Sequence, residues 1–144
     1  MFLGSHALRL DEKGRLALPV RFRDLVSDGV VLTKGQENCV YALTHARVAE
    51  IQAARAATMA RDDAGRRAMA RLGFGSMVEL EPDKAGRITL PALLRDYAGL
   101  DRDVVVVGVD TRFEIWDATA WDAYVAEQEA AYAESESEGM PTLS

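Results

Sequence analysis

The sequence predicts an α+β protein in which two tandem ββαββ repeats interlock around one pseudo-two-fold β-barrel core, with flanking helices. Three observations predict it. The motif DEKGRLALP, starting at Asp11, returns as DKAGRITLP, starting at Asp83. Short stretches beside each copy alternate polar or small residues with apolar ones, the pattern of half-buried strands. Each copy spans only about 45 residues, too few to bury a core alone, so two copies are expected to share one. Between residues 11–24 and 83–96, seven of fourteen positions are identical: Asp11/Asp83, Gly14/Gly86, Arg15/Arg87, Leu18/Leu90, Pro19/Pro91, Arg23/Arg95 and Asp24/Asp96. Chance would give about one, so the chain is an internal duplication.

Each copy reads as strand, turn, strand, brief helix and two more strands. An aspartate at the start of the turn hydrogen-bonds the backbone ahead of it, and a glycine three residues on accepts positive φ. Arg15-Leu16-Ala17-Leu18 and Arg87-Ile88-Thr89-Leu90 follow as alternating strands. Pro19 and Pro91 suit the first turn of a helix, where a missing N–H does no harm, and Gly29 and Gly99 stand where helix-ending glycines are expected. Val30-Val31-Leu32 and Val104 to Val107 read as buried strands. Cys39-Val40-Tyr41 and Phe113-Glu114-Ile115-Trp116 close the copies. Between the copies, Thr44 caps a helix with Val48, Ile51, Arg55 and Met59 on one face, and Asp62 to Leu72 reads as a second helical piece. After the second copy, Asp117 caps a helix whose Trp121, Tyr124, Val125, Gln128 and Tyr132 fall at i, i+3, i+4, i+7 and i+11, a packing stripe.

Composition narrows the function. With 49% hydrophobic residues in 144, the chain suits a globular fold. Its apolar runs fall far short of the roughly 20 residues of a membrane helix, and the opening MFLGSHALRL has no signal-peptide core, so a cytoplasmic protein is expected. Cys39 has no second cysteine to pair with and reads as a buried, inert thiol. The net charge of −6 is unevenly spread: residues 1–72 hold 12 Lys/Arg and 8 Asp/Glu, net +4, and residues 73–144 hold 5 and 15, net −10. Glu127, Glu129, Glu134, Glu136 and Glu138 supply half of that second deficit. The basic half is where an anionic partner would bind.

An enzyme is not expected. The sequence has no Gly-rich phosphate loop with lysine and no nucleophile-elbow serine. Asp11 and Glu12 are adjacent, so in an extended strand they point to opposite faces and cannot act as an acid/base pair. His6 and His45 have no suggested partner and read as surface or cap residues. No metal-ligand set has zinc spacing, so neither metal nor cofactor is expected.

Through Asp11, Gly14, Arg15 and Pro19, with Asp83, Gly86, Arg87 and Pro91, the sequence resembles the MraZ family of bacterial regulators. That family is marked by a twice-repeated Asp-x-x-x-Arg motif in a swapped-hairpin fold related to the AbrB and SpoVT DNA-binding domains. The resemblance runs from MFLG through FEIWDATAW and fades in the acidic end. One departure is that Tyr41-Ala42-Leu43 lacks the aromatic that Trp116 supplies in the second copy. The resemblance implies AbrB-like repeats at 5–47 and 76–119; with the helices read above, 48–75 is expected to be a helical linker and 120–134 a C-terminal helix, and the acidic composition of 135–144 reads as a disordered tail. It implies a cytoplasmic, nucleoid-associated regulator, a homo-oligomeric ring that binds short direct repeats of double-stranded DNA in the promoter of the division and cell-wall gene cluster.

The residues expected to meet DNA follow from arginine chemistry, since a guanidinium pairs bidentately with guanine or grips a phosphate. Arg15 leads, with Arg9 and Lys13 on the same strand and turn and Arg21 and Arg23 opening the next helix. In the second copy only Lys84 and Arg87 match, beside the acidic Glu79, Glu81 and Asp83, so the first copy is expected to dominate. Asp11, Gly14, Asp83 and Gly86 are expected to shape the turns. A second reading stays open: Asp and Arg four residues apart pair with each other and lock the turn, and Arg87 in particular has a structural role as its equal alternative. Arg66, Arg67 and Arg71 form another basic patch, read as a solvated helix face, with phosphate contact or a subunit interface as the other readings. At the level of function, the alternative to a DNA-reading regulator is a ring-forming scaffold with incidental DNA affinity.

Overall fold

A computed structural model describes residues 1–58 and 63–134. Its elements are, in order, β1 (Ser5–Arg9), β2 (Arg15–Ala17), α1 (Val20–Leu25), β3 (Val30–Lys34), a 3-10 turn (Gln36–Asn38), β4 (Val40–Leu43), α2 (His45–Ala57), α3 (Ala64–Gly75), β5 (Val78–Leu80), β6 (Arg87–Thr89), α4 (Ala92–Ala98), β7 (Asp103–Val109), β8 (Arg112–Asp117) and α5 (Ala118–Glu134). The ββαββ order therefore occurs twice, and the class is α+β as expected.

The strands pair across the repeats. β1 runs antiparallel to β7 and β5 to β3, while β4 and β8 meet in the middle. The six-stranded sheet has the order β1-β7-β8-β4-β3-β5, and β2 pairs with β6 in a separate two-stranded ribbon. Exchanging each strand for its repeat counterpart reverses this order and leaves it unchanged, which puts a pseudo-two-fold axis between β8 and β4. The expected barrel is not closed, because β1 and β5 remain opposite edges of the sheet. The strands that would bridge those edges, β2 and β6, are three residues long and spend their hydrogen bonds on each other.

The core lies between the ribbon, α1, α4 and one face of the sheet. Leu16 and Ile88 point in from the ribbon, Phe22 and Val26 from the α1 segment, and Leu94 and Ala98 from α4. Val30, Leu32, Val104, Val106, Phe113 and Ile115 project from the sheet, and all of these are buried. Two-residue alternation sends Val105, Val107 and Trp116 to the opposite face, where Tyr41, Trp121 and Tyr124 join them and Cys39 packs at the start of β4. Trp116 meets Trp121 edge-on at 5.2 Å and Tyr124 at 4.9 Å, so the aromatic stripe of α5 packs as expected through its first two members. Tyr132, the last of the stripe, is exposed.

Local chemistry sets the element ends. The helices α1 and α4 start directly after Pro19 and Pro91. Gly99 ends α4 at φ +62°, whereas α1 is capped earlier, at Val26. Gly29 instead takes φ +126°, which strains any residue with a side chain, and the His45 ring stands beside it. Thr44 accepts the Arg47 N–H at the start of α2, and Asp117 accepts the Ala120 N–H in the first turn of α5. Asp63 caps α3 through the Arg66 N–H. At the other end of α3, Ser76 bonds Thr33 and the Lys34 N–H, tying the helix to β3. Met59 and Asp62, read above as helical, and the tail 135–144 lie outside the described residues.

Candidate nucleic-acid interface

Both copies of the motif build the same turn. The Asp11 carboxylate accepts the N–H groups of Lys13 (2.9 Å) and Arg15 (2.8 Å) on one oxygen and Arg15 Nε (2.6 Å) on the other. Asp83 accepts the N–H groups of Ala85 and Arg87 and Arg87 Nε, each at 2.9 Å. Gly14 and Gly86 close the turns at φ +74° and +75°, donating to the carbonyls of Asp11 and Asp83. Both carboxyls are held below the usual Asp range, chiefly by the backbone N–H of the motif arginine; desolvation opposes this, and the arginine guanidinium and the N–H two residues on add to the lowering.

The turns lead into the ribbon, whose register pairs Arg15 with Thr89, Leu16 with Ile88 and Ala17 with Arg87. Leu16 and Ile88 face the core. Arg15, Ala17, Arg87 and Thr89 therefore share the outward face, with the two arginines diagonal to each other. Ladder bonds extend past the strands, from the Leu18 N–H to the Gly86 carbonyl and from the Leu90 N–H to the Gly14 carbonyl. The structure thus brings Arg15 and Arg87 together on one surface and gives them matching geometry: both are partly exposed and both pair with their own aspartate. The copies differ in surrounding charge, since Glu79 and Glu81 flank the second turn.

Lys13 and Lys84 are exposed on the turns, and Arg21 is exposed on α1. Arg9 lies at the end of β1, bonded to Asp103 across the ladder at 2.9 Å. Arg23 is placed differently from a solvent-facing cation. Its Nε is buried without a hydrogen-bond acceptor among the described residues and lies against Gly86, in the turn of the other repeat. Its counterpart Arg95 covers Gly14 less closely, 3.1 Å from where a Cβ would stand, and donates Nε to the Leu90 carbonyl at 3.1 Å. Arg95 was not among the expected site residues, although its identity with Arg23 in the repeat was the available signal.

Other candidates fall elsewhere. Arg66 bonds the carbonyl and hydroxyl of Thr58, joining α3 to the end of α2. His6 packs edge-on against Phe22. Cys39 is buried, and desolvation, aided by the nearby Glu114 carboxylate, pushes its thiol up to about 12, so it is inert as expected. Among the described residues, no helix is long and apolar enough to cross a membrane.

Comparison with known proteins finds a family model described as "MraZ protein, putative antitoxin-like" that matches residues 1–67 and 74–140. The chain is 50% identical over 144 residues to the transcriptional regulator MraZ of Salinispora arenicola, covering 99% of this chain and all of that protein. It is 46% identical over 142 residues to the protein of the same name from Micrococcus luteus, covering 98% of each chain. A third similar protein, from Frankia casuarinae, is 50% identical over 141 residues, again covering 98% of each chain and carrying the same name.

Proposed function

Because the chain belongs to the MraZ family, we propose that it is a sequence-specific DNA-binding transcriptional regulator that reads short direct repeats in the promoter of the division and cell-wall gene cluster. The observation that carries this reading is the β2–β6 ribbon, with Arg15 and Arg87 on one outward face. A two-stranded ribbon fits the major groove, and arginine is the side chain best suited to guanine edges there. In each pair the aspartate takes the Nε edge of the guanidinium, which orients the terminal amino groups for an outside acceptor. Lys13, Arg9 and Arg21 add phosphate contacts around the first turn, and Lys84 adds one at the second. The first copy dominates because Glu79 and Glu81 repel phosphate beside Arg87. No step of this function needs a catalytic residue, a metal or a cofactor.

In this reading the protein acts in the cytoplasm at the nucleoid as a homo-oligomeric ring. Exposed Met69 and Leu72 border an apolar cavity of about 560 Å³ that Ile51, Phe74 and Met77 also line, a surface suited to self-association. In the same reading the chain divides into repeats at 5–47 and 76–119, a linker at 48–75 and a terminal helix at 120–134. A scaffold whose DNA affinity is incidental is the second reading, favoured by the Asp–Arg pairs, which lock both turns without any partner.

Footprinting on the DNA upstream of the protein's own gene, with affinity measured against salt, separates the two. A regulator protects a set of short direct repeats, and its affinity falls steeply with salt, by about 0.9 in log-log slope for each phosphate neutralised. A scaffold gives no discrete footprint.

A further inference from the structure

We infer that Arg23 and Arg95 are positioning residues that act across the repeats: Arg95 sets the turn carrying Arg15, and Arg23 sets the turn carrying Arg87. Each motif glycine is buried, and what covers it is the arginine of the other copy's helix. Positive φ favours glycine at both positions; at Gly86 the Arg23 side chain also occupies the place of a Cβ, while at Gly14 the Arg95 guanidinium stands close beside it, 3.1 Å away. In the first turn the contacts form a closed circuit. The Leu90 N–H bonds the Gly14 carbonyl, the Leu90 carbonyl accepts Arg95 Nε, and the Arg95 guanidinium lies on Gly14. The second turn has the same ladder bond, from the Leu18 N–H to the Gly86 carbonyl, and the same arginine, but Arg23 Nε finds no acceptor among the described residues. The repeated sequence unit therefore extends from the aspartate through the glycine to the arginine nine residues further on, and its last member works in the other repeat. The turn with Arg15 is the more firmly held.

The consequence for DNA rests on the function proposed above; the wiring itself does not. The test is amide hydrogen exchange on the full chain, comparing residues 11–15 with residues 83–87. Arg95→Met is expected to speed exchange at 11–15 by about tenfold and leave 83–87 unchanged, and Arg23→Met to do the reverse, since exchange reports local opening. Arg95→Lys and Arg23→Lys keep the stem and charge; they give the same crossed pattern in smaller degree and serve if a Met variant does not fold. Loosening of the turn in the variant's own repeat, or of neither turn, overturns the inference. So does a loss of DNA binding by Arg23→Met with exchange at 83–87 unchanged, which makes Arg23 a direct contact. A crossed pattern together with full DNA binding by Arg15→Ala supports the wiring and refutes the DNA reading instead.

Discussion

Asp11 and Asp83 each gather three donors within one short turn, and this contributes to how the protein answers to acid. Their carboxyls are held below the ordinary value of 3.8. A carboxyl depressed in the folded state contributes stability above its unfolded pKa and loses it as pH falls through the folded one. The Asp11→Asn/Asp83→Asn protein should thus be less stable than the wild type at pH 7, with the gap closing below pH 3.8. Urea unfolding at pH 7 and pH 3 checks this, and an equal gap at both would contradict it. The aspartate, glycine and arginine of these turns were legible in the sequence because turn chemistry is local. The destination of Arg23 and Arg95 was not, because it depends on which repeat each helix faces.

At the scale of elements, α5 is held to the sheet through a small aromatic cluster. Trp121 and Tyr124 close over Trp116, while most of the helix is exposed. Trp116 itself is fixed by a hydrogen bond from its Nε1 to the buried Glu114 carboxylate, which also pairs with Arg112. Trp121→Ala should therefore release the helix and leave the sheet intact. Limited proteolysis is expected to cut within residues 118–134 first; simultaneous loss of the sheet would count against this. The stripe and its Asp117 cap could be read from periodicity alone. Alternation also predicted β2 and β6, the apolar runs predicted β3 and β7, and Pro19 and Pro91 marked both short helices. None of these showed that α1 ends before Gly29, because that glycine serves the connection into β3, at φ +126°, rather than the helix end.

For the whole molecule, the main finding is that neither repeat completes its own sheet. β1 needs β7, β5 needs β3, and β2 needs β6. Duplication predicted a shared core, but two-residue alternation gives the face of each strand and not its neighbour, so the open sheet with a separate ribbon was beyond its reach. Residues 1–58 and 63–134, made as separate fragments, should each lack a cooperative thermal transition and should regain β structure on equimolar mixing, followed by circular dichroism. A cooperative melt by either fragment alone would refute this interdependence.

The cross-paired ribbon puts Arg15 and Arg87 on one face, each paired with its own aspartate. Their surroundings distinguish them: acidic neighbours beside Arg87, and behind the turn of Arg15 an Arg95 bond to the Leu90 carbonyl that Arg23 does not match. The most direct test is fluorescence anisotropy of Arg15→Ala and Arg87→Ala on a direct-repeat promoter fragment, with light scattering on the same samples. Arg15→Ala is predicted to abolish binding with the oligomer intact, and Arg87→Ala to weaken it less; unchanged binding by Arg15→Ala would contradict the account.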